Sequence, residues 1–327
     1  MKYRKLGKTG FEVSEISLGT WQLGGVWGLD FNERTAEEVL MASVENGVNF
    51  FDTADVYNDG QSEIAIGKFL QKHRDRIYVA TKAGRKLTPH TAAGYTPSNI
   101  QKFIEDSLKR LQLDCLDLVQ LHCPPTETYY EPELFFALDK MKEKGLISHY
   151  GVSVERVEEA FKAMDYPGVA TVQIIFNMFR LRPSDSFFQA AAEKDVGIIV
   201  RVPLASGLLA GKYKADTVFN KNDHRFNNRE GQFFDKGETF SGVRYELGLK
   251  AIDELKLAFP NRELADIALK FILMHSEVSC VIPGASKANQ IVQNIKASDM
   301  PGLTDSEMNA IQQIYTRHIK NPVHYLW

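Results

Sequence analysis

The chain has 327 residues, of which 44% are hydrophobic and 25% charged, with a formal net charge of −3. This is the balance of an ordinary folded domain, and Lys and Arg are scattered rather than gathered on a basic face, so nucleic acid and anionic membrane are poor partners. No apolar run approaches the roughly 18 residues of a membrane span. The stretch MKYRKLGKTGFEVSEISLG lacks the apolar core of a signal peptide, and three widely spaced cysteines (Cys115, Cys123, Cys280) suit buried thiols in a reducing cytoplasm.

In chain order, KYRKLGKTGFEVSE sets the turn Gly7 to Gly10 between two short strand-like pieces and predicts a hairpin. Eight apolar runs follow: ISLGT (16–20), VNFFDT (48–53), IYVATK (77–82), LDLVQLH (116–122), SHYGVS (148–153), TVQIIF (171–176), GIIVRVP (197–203) and SCVIPG (279–284). Most are continuously apolar and rich in Val and Ile, as parallel strands buried on both faces should be. Helical periods lie between them. TAEEVLMASVENG offers a capping box, Thr35 with Glu38, and SNIQKFIEDSLKRLQLD a second, Ser98 with Gln101. RELADIALKFILMHS is apolar on one face and runs into the eighth strand.

Strand then helix, eight times over, predicts an α/β protein of the (β/α)8 TIM barrel class, one domain over 1–327, with the hairpin closing one end. The competitor, a doubly wound sheet, would place G-x-G-x-x-G after its first strand, and that spacing occurs nowhere. One segment breaks the repeat. From Gly211 to about Arg244 the chain is polar and aperiodic yet holds Phe226, Phe233, Phe234 and Phe240, which predicts a long loop forming a lid over the catalytic mouth.

In such a barrel all strand carboxyl ends emerge on one face, where chemistry sits. Asp52 ends the second strand, Lys82 the third and His122 the fourth, while Tyr57 follows the second. Singly, these residues are a turn cap, a packed ring, a solvated amine and a backbone-bonded imidazole; converging on one mouth, they are candidate catalytic residues. A phenol with a pKa of about 10 is a weak acid at neutral pH, and a neighbouring ammonium should lower it. A carboxylate would hold that ammonium charged, and a histidine could position a substrate oxygen. The set offers no nucleophile, no H-E-x-x-H metal cage and no glycosidase pair, so no metal is expected. Reduction of a carbonyl by an external hydride, hence by nicotinamide, fits best; an isomerase or lyase shuttling protons would need no nicotinamide.

At these residues the chain resembles the aldo-keto reductase family. The resemblance spans nearly the whole sequence through LGKTGFEVSEISLGTWQLGG, FFDTADVYNDGQSEIAIGKFL, VATKAG, DLVQLHCPP, GVSV, VQIIFNM, VPLASGLLAGKY and IPGASKANQIVQNI. It implies Tyr57 as general acid, tuned by Lys82 and Asp52, with His122 orienting the carbonyl. It also implies NADP or NAD lying across the mouth, with NADPH preferred because Lys287 offers a charge for the 2′-phosphate. By the same resemblance Ser153 and Gln173 hold the carboxamide, with Thr20, Trp21 and Arg201 nearby. Leu204, Ser206 and Leu208 wrap the pyrophosphate, Gly284, Ser286, Lys287, Gln290 and Asn294 hold the adenosine end, and Pro203, Lys212 and Gln293 also contact the cofactor.

Three positions depart from the family pattern. Val154 replaces the usual Asn, Gln290 stands where some members have Arg, and Arg201 replaces a stacking aromatic. The Arg201 charge should disfavour oxidised nicotinamide or bind an anionic substrate group, unless it turns away into a salt bridge. Small aldehydes, ketones and sugar-derived carbonyls are the expected substrates, with Trp21, Trp27, Tyr57, Tyr129, Tyr130 and the tail NPVHYLW as candidate walls. Family members attached to ion channels keep the fold and the tetrad, so a cofactor-sensing regulatory subunit is the alternative; a monomer is the default.

Overall fold

The computed structural model describes residues 1–25, 30–73 and 77–327; Trp27, a candidate pocket wall, lies outside them. Tyr3–Lys5 (β1) and Glu12–Ser14 (β2) pair antiparallel as the expected hairpin. Then come Leu18–Gly19 (β3), Phe50–Asp52 (β4), Tyr78–Ala83 (β5), Leu116–His122 (β6), Ile147–Ser153 (β7), Val169–Ile175 (β8), Gly197–Arg201 (β9) and Val278–Val281 (β10). Each is parallel to the next, in the order of the chain. The sheet closes on itself where Ile16 bridges Val281 and Gly19 bridges Gly284, with Ser17 N donating to Val281 O (2.9 Å) and Gly19 N to Pro283 O (3.1 Å). Closure needs glycine here, since a Cβ on Gly19 would stand 2.7 Å from the Ile282 carbonyl oxygen. The fold is therefore the (β/α)8 barrel that the eight apolar runs predict.

The helices are Glu33–Glu45 (α1), Gln61–Lys72 (α2), Pro97–Leu111 (α3), Pro132–Glu143 (α4), Val157–Ala163 (α5), Pro183–Glu193 (α6), the single turn His224–Asn227 (α7), Tyr245–Ala258 (α8), Leu264–Leu273 (α9), Ala288–Asp299 (α10), Asp305–Ile314 (α11) and Lys320–Val323 (α12). Two starts differ from the sequence expectation. Asn32 caps α1, accepting from Thr35 N at 2.9 Å, and Thr96 caps α3, accepting from Asn99 N at 3.2 Å. Thr35 and Ser98 thus lie inside their first turns. At α3 the reason is Pro97, which suits the first helical position because it has no N–H to satisfy.

The hairpin plugs the amino-terminal end of the cylinder. Leu6, Phe11 and Val13 join Phe50, Tyr78 and Leu118 in an apolar cluster inside the barrel, and Phe11 stacks on Tyr78 at 4.2 Å. Arg4 anchors the plug through Glu15 (2.8 Å) and the carbonyls of Leu273, His275 and Val278. The opposite end carries the long segment. It is ordered by its own aromatic and arginine packing: Phe219 and Phe240 are buried, and Arg229 lies 4.9 Å over the Tyr245 ring. It crosses the mouth, with His224 against Trp21 (4.8 Å) beyond β3 and Ser241 Oγ accepting from Asn177 Nδ2 (2.7 Å) beyond β8. Trp327 of the tail pins it, donating Nε1 to Asp235 at 2.9 Å.

Truncating Phe11 to Ala removes most of the ring that seals the barrel base. A loss of about 3 kcal/mol in urea denaturation, with an unchanged m-value, is the expected result. A loss near zero would show that the hairpin does not seal the core.

Candidate active site

Tyr57 is placed by an unusual turn. Asn58 (φ 47°), Asp59 (φ 53°) and Gly60 (φ 88°) follow it in the left-handed region, which Asn, Asp and Gly tolerate best. Asn58 Nδ2 donates to Leu23 O (3.1 Å), fixing the turn to the loop after β3. The phenol is thereby brought back over the carboxyl ends of β4 and β5.

Beneath it lies a buried polar network. Lys82 Nζ donates to Asp52 Oδ1 (2.5 Å), to Thr53 O (2.9 Å) and to the Tyr57 hydroxyl (3.2 Å). The second Asp52 oxygen accepts from Gln120 (3.1 Å) and Gln173 (2.7 Å). Burial, the largest influence, would lower the Lys82 ammonium, but Asp52 and Tyr57 together more than offset it and hold Lys82 above its ordinary value. For Tyr57 the balance differs from the sequence expectation. Burial pushes the phenol up and Lys82 pulls it down, with a net rise. The phenol is therefore protonated at neutral pH, the form a proton donor needs. The His122 ring is edge-on to Tyr57 at 6.0 Å, and burial together with Lys82 and Arg85 holds its imidazole well below the usual range, hence neutral. Its buried Nδ1 has no hydrogen-bond partner among the described residues.

A second cluster walls the mouth. Arg201 bonds Glu155 (2.9 Å) and the Val154 carbonyl (3.0 Å), approaches Glu238 of the long segment at 3.5 Å, and contacts Cys123 Sγ at 3.6 Å. Val202 beside it sits at φ 53°, a strained setting for a β-branched residue, with its carbonyl accepting from Asn177. Cys123, Glu155 and Glu238 have the proximity of a metal-ligand set, but the cation they hold is the Arg201 guanidinium.

The family model "Aldo/keto reductase family" matches residues 15–316. The uncharacterized oxidoreductase YqkF of Bacillus subtilis (strain 168) is 30% identical over 97% of this chain and 99% of its own. A probable voltage-gated potassium channel subunit beta of Arabidopsis thaliana is 30% identical over 99% of this chain and all of its own length (100%). The solved aldo-keto reductase AKR11C1 from Bacillus halodurans (holo form) superposes with a TM-score of 0.77 at 29% identity, over 96% of each chain. The chain belongs to the aldo/keto reductase family. Membership supports carbonyl reduction with a nicotinamide cofactor as its general chemistry.

In this aldo/keto reductase the residues expected at a cofactor fall into distinct settings. Thr20 is buried and donates to Asp52 O (2.9 Å). Ser153 Oγ lies 3.5 Å from Gln173 Oε1, and the Gln173 amide is already bonded to Asp52. Arg201 takes the salt-bridged course, so its charge is offset by carboxylates rather than free to act on a nicotinamide ring. Ser206 is held by the long segment, donating to Glu238 O (3.0 Å) and accepting from Phe240 N (3.1 Å). Pro203 and Leu208 are buried and Leu204 partly so, while Lys212 is exposed. Gly284, Lys287 and Gln293 are exposed and Asn294 is buried. Gln290 folds back as a cap: its Oε1 accepts from Ser286 N (2.8 Å), Ser286 Oγ (3.2 Å) and Lys287 N (3.1 Å), the donors expected to meet phosphate.

Of the expected walls, Tyr129 is fully buried and Tyr130 faces solvent under Lys162, so neither simply lines the mouth. Sequence reasoning missed Gln120, Glu155, Glu238, Arg85 and Arg180. Only Gln120 had a visible signal, a polar residue inside the apolar run LVQLH.

Asp55 adds a pH handle. It is fully buried, both its oxygens lack a hydrogen-bond partner among the described residues, and burial with the nearby Glu63 pushes its carboxyl from 3.8 to about 7. The folded state thus keeps a proton that the unfolded state loses between those values. That contribution is full below 3.8 and is lost as pH rises towards about 7, a fall of up to ~4 kcal/mol. Asp55→Asn should flatten it. Urea midpoints for both proteins across pH 4.5 to 7.5 check this, and parallel slopes would refute it.

Proposed function

We propose that this protein is an NADPH-dependent reductase of aldehyde or ketone carbonyls, with Tyr57 as proton donor. The observation that carries the reading is the Lys82 ammonium, buried and shared between Asp52 (2.5 Å) and the Tyr57 hydroxyl (3.2 Å) at the barrel mouth. The donor set suits a dinucleotide. Ser153 presents a hydroxyl inside the rim for a carboxamide, beside the Gln173 side chain that serves Asp52. The start of α10 presents the exposed Lys287 ammonium for a phosphate, with the Ser286 and Lys287 N–H groups available once Gln290 swings aside. Reduced nicotinamide supplies a hydride to the carbonyl carbon. Neutral His122 offers a ring nitrogen to orient the carbonyl oxygen, and Tyr57 releases its hydroxyl proton to that oxygen as negative charge develops. Lys82 stabilises the phenolate left behind, while Asp52, held by Gln120 and Gln173, keeps the ammonium charged and aimed.

Two measurements test this reading. Tyr57→Phe should lower kcat for a carbonyl panel by about 10²–10⁴ while retaining cofactor-dependent fluorescence quenching. Equal activity in variant and wild type would remove Tyr57 from the chemistry. Lys287→Ala should raise KM for NADPH roughly tenfold, about 1.4 kcal/mol, and leave NADH unaffected. An unchanged preference would remove the argument for NADPH.

The likeness to a probable potassium channel β subunit supports a second reading, a cofactor-sensing subunit with little turnover. Under it the cofactor is retained tightly and no aldehyde in the panel is consumed at a measurable rate.

A further inference from the structure

Not every guanidinium at the mouth has a carboxylate partner. Arg201 occupies both nearby carboxylates, Glu155 and Glu238. Arg180, in the loop after β8, is 2% exposed; among the described residues none of its three guanidinium nitrogens has a hydrogen-bond partner, and the Trp327 ring lies 4.1 Å away. Arg85, in the loop that leaves β5 just beyond Lys82, is half-buried and forms no hydrogen bond or ion pair among the described residues.

Arg85 stands on the same wall as His122. The ring of Tyr95 packs on Gly84, next to Arg85 in the chain, and the Tyr95 hydroxyl lies 3.3 Å from the His122 carbonyl oxygen. The Arg85 charge reaches His122 and His90, lowering both, and Cys123, Glu238 and Glu155 act on it in turn. Three guanidinium groups thus share this region with the carboxylates Glu155, Glu238 and Asp235, and Arg85 is ion-paired to none of them. Burial and the neighbouring Glu238 push the Glu155 carboxyl up, and the Arg201 guanidinium pulls it back down. A planar guanidinium that is partly desolvated and lacks a counter-ion is suited to bidentate pairing with a carboxylate or phosphate.

We propose that Arg85 is a substrate-binding residue for carbonyl compounds that carry an anionic group, pairing with that group while the carbonyl lies against Tyr57 and His122. The proposal rests on the reductase reading above and names its substrate class. Two matched pairs of probes separate the possible anions: succinic semialdehyde against butanal, and glyceraldehyde 3-phosphate against glyceraldehyde. The wild type should favour the charged member of at least one pair by tenfold or more in kcat/KM, chiefly through KM. Raising salt from 50 to 500 mM should shrink that preference. Arg85→Gln should cut the charged-to-neutral ratio at least tenfold, and Arg85→Lys should restore part of it. A wild type without charge preference overturns the proposal. So does an Arg85→Gln enzyme slowed equally on both members, which marks a structural role, or one whose only change is weaker cofactor binding. Turnover of neutral aldehydes without charge preference sinks this proposal alone, whereas no turnover of any probe sinks it together with the reductase reading.

Discussion

The upper half of the barrel is organised around one requirement: two opposite charges inside a closed sheet must be paired and fully hydrogen-bonded. Asp52 and Lys82 are each 1% exposed. Removing either partner from such a pair leaves an uncompensated buried charge, which is far more costly than never having built the pair. The barrel meets the requirement with side chains from four strands, since β4 supplies Asp52, β5 Lys82, β6 Gln120 and β8 Gln173. Because those contacts converge, the ammonium has little freedom to move, and its remaining donor points at Tyr57. Pre-organisation of the proton donor is thus a by-product of satisfying the buried pair.

Much of this architecture was readable from the residues. Strands buried on both faces must be apolar throughout, so all eight stand out, and a polar residue ending such a run can only lie at the rim. That is why Asp52, Lys82 and His122 could be placed together before any coordinates. The helix starts were not readable, because Asn32 competes with Thr35 and Thr96 with Ser98 as caps, and local chemistry favours neither strongly. Gln173 was expected only at the carboxamide and Gln120 went unnoticed; their meeting at Asp52 depends on the curvature of the sheet. Glu238 had no signal at all. It lies in an aperiodic segment and reaches Arg201 only because Trp327 and Asn177 hold that segment across the mouth.

Arg201 shows how a single substitution is absorbed by its surroundings. A cation where the family pattern has an aromatic ring would be isolated and costly, yet here Glu155 and Glu238, clustered within 4.8 Å of each other, both reach it. One of these carboxylates belongs to the barrel and the other to the crossing segment, so the guanidinium also works as a tie between scaffold and cover. The strained Val202 beside it shows that the backbone bends to hold this arrangement.

The seam where the cylinder closes has a thermodynamic corollary. β3 is only two residues long, and its joint with β10 relies on isolated bridges at Ile16 and Gly19, whereas β6 and β7 share a continuous ladder. Local opening should begin at this weakest joint, as a stave works loose from a cask. The loops flanking the joint, 20–25 on one side and 283–287 on the other, are the two banks that a long ligand draped over the rim would bridge. Occupancy there would act as a hoop, making the resistance of the whole cylinder to unfolding depend on ligand concentration.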